Sequence, residues 1–397
     1  MANTLNLGNG NWGVKKDSLL GYNSENGNFK PLAFDFTRAS SATVVNKAGL
    51  IETVGSGEAK IDFSNDANGS LLLEPSRSNY IPYSTLDFDG GVKPNGWSIG
   101  FGTGSYSYEQ LTYKGQKAVK QTQITTGRSY LDTGSITILA NTEHTLKIQF
   151  ILDECVADAN DNILSFISFG ASAIYKFSDI DSNGVLEIQF NPLSDNVGSL
   201  RIGLGVDQNA TGSKSLAWAI PQLEQGSYAT SYISTSGSAV TRSADNAYQQ
   251  NVTHVIGQSE GTMFIEFIPK DSSTLQILYQ AKSSSGVVGQ VDIRLQGGLI
   301  RALANDGGGS QFFMNGGSYT VGTKYKVAIR YKLNDSKLYI NGTDSGSDTT
   351  CSFTGSSLDQ VSFADSLSSF LPSVDIVDTR LYNTALTDAE LQALTKI

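Results

Sequence analysis

Lys324-Tyr325-Lys326-Val327-Ala328-Ile329-Arg330-Tyr331-Lys332 places Tyr325, Val327, Ile329 and Tyr331 on one side and Lys324, Lys326, Arg330 and Lys332 on the other. An apolar residue at every second position is the period of a half-buried strand. The chain then turns at Asn334-Asp335-Ser336, returns as Lys337-Leu338-Tyr339-Ile340 and turns again at Asn341-Gly342. Two apolar runs around such turn residues predict an antiparallel meander. Farther on, Leu386-Thr387-Asp388-Ala389-Glu390-Leu391-Gln392-Ala393-Leu394 carries a helix signal. Thr387 can cap it, Glu390 can reach back to complete a capping box, and Leu386 and Leu391 are placed as a hydrophobic staple. One helix of this length cannot support a domain, so it is predicted to dock on a β-sandwich formed by residues 251–397.

The rest of the chain fits the same class. At 397 residues it exceeds what one core usually serves, so two or three domains are expected. Gly is abundant (41), Tyr and Phe number 17 and 18, and charged residues make up only 17%. Gly, Asn and Ser supply turn geometry and aromatic residues suit pleated faces, which favours short strands over helices. The formal charge of −10 opposes nucleic acid and anionic membranes as partners. No apolar run approaches the roughly 20 residues that span a bilayer. Met1-Ala2-Asn3-Thr4-Leu5-Asn6-Leu7 lacks the basic and apolar regions of a signal peptide, so a cytoplasmically made product is expected. Two Cys, 155 and 351, exclude a disulfide framework, and the sequons at Asn68, Asn209, Asn251 and Asn341 read as turn chemistry.

Residues 1–75 hold short runs such as Leu32-Ala33-Phe34-Asp35-Phe36 and Ala42-Thr43-Val44-Val45, too few to bury a core alone. They are expected to pack on a partner chain, a copy of themselves or the next domain. Residues 76–241 alternate strands with Gly-rich turns: 118–125, 144–152, 163–169, 185–190 and 200–206. In Thr145-Leu146-Lys147-Ile148-Gln149-Phe150 the apolar residues recur every second position. Even spacing of short strands predicts a second antiparallel sandwich. Residues 242–250, small and polar, read as a linker. The fold class is therefore all-β: an N-terminal segment, two antiparallel sandwiches of jelly-roll type and one short C-terminal helix.

Several stretches resemble known families. Glu260-Gly261-Thr262-Met263-Phe264-Ile265-Glu266-Phe267, the Lys337-to-Gly342 turn and Val374 to Thr387 resemble the opening, middle and closing strands of laminin-G/concanavalin-like jelly rolls. Phe36-Thr37-Arg38-Ala39-Ser40-Ser41-Ala42-Thr43-Val44, Gly49-Leu50-Ile51-Glu52 and Leu71 to Ser84 resemble a segment recurrent in bacteriophage virion proteins. Pro221 to Ile233 resembles the close of a carbohydrate-module-like jelly roll in those proteins. Leu5-Asn6-Leu7-Gly8-Asn9-Gly10-Asn11-Trp12 is similar to the start of crAss-like phage fibre proteins. The resemblance implies a homotrimeric virion fibre, most simply a head (capsid) fibre, anchored to a capsid or other virion protein through residues 1–75. It also implies adhesion to a host surface glycan; a tail fibre, a purely structural capsid decoration and a glycan depolymerase are the alternatives.

Candidate chemistry is sparse. His144 and His254 have no neighbouring Cys or second His and read as surface or edge positions, so neither a metal cluster nor a His-based dyad is indicated. No Glu begins the Glu-x-Asp-x-x-Glu pattern of concanavalin-like glycosidases, so no catalytic residue is assigned and a non-enzyme without cofactor is expected. Asp179-Ile180-Asp181-Ser182-Asn183-Gly184 repeats the opening of a calcium loop, with Asp179, Asp181 and Asn183 as ligands. Phe190 stands where that loop needs a bidentate Glu, and a plain hairpin turn is the alternative. For glycan binding, Tyr279, Phe312, Phe313, Asn315 and Tyr319, around Asp306-Gly307-Gly308-Gly309, combine aromatic faces with an amide. Each aromatic also has an ordinary reading as core or subunit contact. Asp292 and Arg294, alternating with Val291 and Ile293, read as the wet face of a strand.

Overall fold

The computed structural model describes residues 3–23, 30–100, 104–167, 173–192, 196–206, 208–272, 275–284, 289–306, 309–351, 357–364 and 370–397. Gly307 and Gly308 and the end of the 163–169 run lie outside them. The chain forms two compact units, Arg77–Arg242 and a second made of Met1–Ser76 with Ser243–Ile397. Every strand pairing named below is antiparallel, and each unit is a β-sandwich. No helix among the described residues is long and apolar enough to cross a membrane.

In the Arg77–Arg242 unit one sheet runs Tyr106–Tyr113, Gln116–Gln123, Lys214–Gln225, His144–Phe150, Val185–Phe190. The other runs Ser98–Ile99, Leu131–Asp132, Asn196–Ile202, Asn162–Ile167, Ala173–Lys176. Val119, Ile148, Leu164, Leu200 and the Trp97–Trp218 pair, 5.1 Å between ring centroids, fill the space between them. His144 lies in this core, not at a surface or edge. It packs between Tyr80 and Phe190, its Nδ1 stands 2.9 Å from Thr142 O, and its Nε2 has no partner among the described residues. His254 is exposed.

In the other unit the front sheet runs Lys30–Thr37, Asn246–Gln250, Gln360–Ala364, Gln276–Lys282, Gln290–Gln296, Leu299–Asp306, Gly309–Ser318. The back sheet runs Val374–Tyr382, Gly261–Pro269, Tyr325–Tyr331, Ser336–Ile340, Thr343–Asp348. Ser18–Asn23 pairs with Lys30–Thr37 and touches Leu5–Gly8, which pairs with Val374–Tyr382, so the N-terminal strands join one sheet to the other. The meander forms as its alternation requires: Val327, Ile329 and Tyr331 are fully buried between the sheets, and Asn341 and Gly342 take φ +48° and +80° at the turn. The helix Asp388–Thr395 is capped by Thr387 with the Glu390 capping box, and Leu386 and Leu391 pack on Phe264, Ala328 and Tyr339. Buried Arg330 fastens it by donating to Leu386 O (3.0 Å) and to Asp388 (2.7 Å).

Residues 1–75 differ from the expected separate segment, because Leu5, Leu7, Leu19, Phe34, Phe36, Leu71 and Leu73 belong to the core of the C-terminal sandwich. Burying those side chains is worth about 10–20 kcal/mol of transfer free energy before chain entropy is subtracted. The expected linker 242–250 also differs, since it contains the strand Asn246–Gln250. Beside that strand, Asp245 is buried, accepting from Arg38 Nη1 (3.1 Å), Lys60 Nζ (3.0 Å) and Glu74 N–H (2.9 Å). Lys60 also pairs with Glu74, which completes a cluster tying residues 38–74 to residue 245. Small and polar residues there fill a specific socket, and composition alone cannot distinguish that from a linker.

Candidate functional site

The front sheet turns Ala247, Val361, Phe363, Tyr279, Val291, Ile293, Ala302, Ala304, Phe312 and Met314 into the core. Alternate residues face the other way. Strand register then lines up Asp35, Tyr248, Ser362, Gln280, Asp292, Leu303 and Phe313 as a row crossing all seven strands. A second row beside it holds Gln250, Gln360, Lys282, Gln290, Asn305 and Ser310, and Arg294, Arg301 and Asn315 extend the other side. The pattern is unusual for an outward face: amides, a carboxylate and guanidinium groups in the middle, aromatic rings towards the ends.

Its central groups hold one another in place. Gln250 Nε2 donates to Gln360 Oε1 at 3.1 Å and Gln290 Nε2 to Asp292 Oδ2 at 3.1 Å. Arg294 forks onto Asp292, Nε to Oδ1 at 2.6 Å and Nη2 to Oδ2 at 2.5 Å, the bidentate geometry that fixes both side chains. Asp292 is fully buried, Arg294 is 8% exposed, and Ser362, Gln280 and Gln360 are buried too, so the expected wet strand face is a covered floor, with Gln250, Gln290, Asn305, Arg301, Phe313 and Asn315 the accessible groups around it. Burial pushes the Asp292 carboxyl up, against the downward pull of Arg294. Arg301 stands directly opposite Arg294, a like-charge placement that the Asp292–Arg294 pair offsets. Its guanidinium lies over the Phe313 ring at 5.2 Å, and its Nε has no hydrogen-bond partner among the described residues.

The structure separates the five aromatic and amide candidates. Phe313, 43% exposed, and exposed Asn315 lie on this face beside Arg301. Tyr279 and Phe312 are buried on the opposite, core side, Tyr279 stacked on Phe363 at 4.9 Å. Tyr319 is half-buried against the core and donates to Asp271 O at 3.4 Å. Sequence reasoning missed Tyr248, Gln250, Gln280, Gln290 and Gln360, whose alignment depends on long-range register. The signal available for them was a polar residue at every second position in several strands.

The calcium-like loop is a capped turn. Asp181 Oδ1 accepts from Asn183 N–H (2.9 Å) and Val185 N–H (2.7 Å), and Asp179 Oδ2 accepts from Lys176 N–H (2.7 Å). Among the described residues no three His, Cys, Asp or Glu side chains are grouped to hold a metal ion.

Neither protein-family models nor curated proteins yield a match to this sequence. Among solved structures it is similar to the Ruminococcus gnavus IT-sialidase CBM40 bound to α2,3-sialyllactose, at 16% identity over 37% of this chain and 91% of that one, TM-score 0.33. Domain 4 of AbnA, a GH43 extracellular arabinanase from Geobacillus stearothermophilus in complex with arabinotriose, is 18% identical over 38% and 73%, TM-score 0.32. A heptameric SAP-like pentraxin from Limulus polyphemus is 12% identical over 34% and 69%, TM-score 0.29. Likenesses this distant assign neither a family nor a ligand.

Proposed function

We propose that this chain binds a glycan along the front face of the sandwich formed by its N- and C-terminal parts. The observation that carries the reading is the row from Tyr248 to Phe313, in which Ser362, Gln280, Asp292 and Leu303 form a floor between two aromatic residues, flanked by the amides of Gln250, Gln290, Asn305 and Asn315 and the guanidinium of Arg301. A polysaccharide presents hydroxyls that such groups can bond and C–H faces that rings can stack on. Because the amides are already held by their neighbours, little side-chain entropy is lost on binding.

The reading favours binding over hydrolysis. Asp35 and Asp292 are the carboxylates of the central row, four strand spacings or about 19 Å apart. Glycosidase pairs need about 5–9.5 Å, and Asp292 is committed to Arg294. The sequence resemblance supplies the setting: a homotrimeric phage virion fibre, head or tail, in which avidity multiplies weak contacts. Attachment to a capsid or other virion protein would then use exposed parts of residues 1–75, since their strands belong to the sandwich. Affinity electrophoresis of the purified chain through gels containing host-surface polysaccharide tests the binding. Retardation that Phe313→Ala reduces is expected, and unretarded migration in every gel would overturn it. Release of reducing ends from the same polysaccharide would instead establish a depolymerase. Imaging of assembled particles checks the virion setting.

A further inference from the structure

At the Lys30–Thr37 end of the front sheet lies a cavity of about 400 Å³, within the usual range for a small-molecule site. Asp17, Thr37, Ser56, Ser243, Asn246 and Leu371 line it, together with the buried Arg38–Asp245 pair. Thr37 and Asn246 are paired in register, two residues along the same strands from the Asp35–Tyr248 pair. Two residues preserve the face and move about 7 Å, so the cavity continues the polar row where that row ends.

Its chemistry is specific. Three hydroxyls, an amide and a carboxylate surround one aliphatic wall, a set matched to the hydroxyls and C–H face of a sugar ring. Arg38 directs Nε to Ser40 O (2.9 Å), Nη1 to Asp245 (3.1 Å) and Nη2 to Gly55 O (2.7 Å), so its charge is spent within the protein. Asp17 is exposed, and its carboxylate has no partner among the described residues. It is held where it is by its backbone, with φ +60° and its N–H donating to Gly57 O at 2.9 Å. A Cβ on Gly57 would stand 2.0 Å from Asp17 Oδ1, so glycine at 57 leaves room for that carboxylate. A free carboxylate beside a neutralised arginine disfavours an acidic sugar and favours vicinal hydroxyls as donors.

We infer that this cavity is a terminal subsite that takes one neutral pyranose unit at the end of a glycan chain, while inner units follow the row from Tyr248 towards Phe313. The inference rests on the glycan-binding reading and adds that the chain end is recognised. Its test is saturation-transfer NMR on the full chain with D-glucose, D-galactose, D-mannose and N-acetylglucosamine, alongside the polysaccharide gels. Two variants alter the cavity. Ala39→Trp fills it from an exposed position, and Asp17→Gly removes the carboxylate at a φ that glycine tolerates. At least one sugar should give a signal with the wild type that falls tenfold or more in both variants, with melting temperature unchanged. An equal signal in both variants, or gel retardation with no monosaccharide signal, would overturn the terminal subsite and leave the glycan face standing. Absence of both would overturn the two together.

Discussion

The two outward faces of the N- and C-terminal sandwich are built to opposite ends. On the back sheet, Glu266 meets Lys324 and Lys326, Lys324 also meets Asp66, Lys270 meets Asp375, and Arg380 meets Asp378. The Asp388–Thr395 helix covers the apolar part of that face. Charges there are matched and apolar surface is covered, so the face spends its capacity on the fold. On the front sheet the amides brace one another and the central groups are buried, yet Phe313 stays exposed and Arg301 beside it has no ion pair among the described residues. A binding face is recognised by what it leaves unspent.

Breaking the buried charge cluster, whose groups are as fully committed to the fold as those of the back face, should cost most. Asp245→Ala leaves Lys60 and Arg38 buried without their shared carboxylate, so denaturant unfolding of this unit should lose about 3–5 kcal/mol. A loss under 1 kcal/mol would show that the cluster is not what ties residues 38–74 to the sandwich. Phe313→Ala and Arg301→Ala should leave unfolding within about 0.5 kcal/mol of wild type, as surface changes do. Each should weaken glycan binding about tenfold, close to 1.4 kcal/mol. Equal losses of stability and binding would erase the distinction between the faces.

The pH response sharpens the contrast between units. Burial holds the His144 imidazole below its ordinary value of 6.5, against the bond to Thr142 O. The unfolded chain therefore takes up a proton that the folded chain refuses. Stability is full above pH 6.5 and falls as pH drops below it, by up to about 1.4 kcal/mol per pH unit down to the folded-state value. His144→Phe should flatten that acid limb for the Arg77–Arg242 unit, read by pH-dependent thermal unfolding. The smallest effect is expected at the helix, where Thr387→Ala removes the cap and should cost about 1 kcal/mol in chemical denaturation.

Local signals made much of this architecture legible. Alternation in Lys324–Lys332, the Asn341-Gly342 turn and the Thr387/Glu390 box each depend on residues close in sequence, and each forms as read. What escaped depends on distant partners. Phe34 and Phe36 read as a short weak run because the core they enter is supplied by residues beyond 246. Asp292 and Arg294 read as wet because alternation reports the face and not its cover. Tyr279 and Phe313 were equally good aromatic candidates, and only strand register sent one to the core and the other outward.

The most direct measurement is chemical-shift mapping of the side-chain amides in the full chain, titrated with oligosaccharide fragments of a retarded polysaccharide. Saturable shifts are expected at Gln250, Gln290, Asn305 and Asn315, the exposed and half-buried amides of the front face. Shifts confined to residues outside the front face would contradict it.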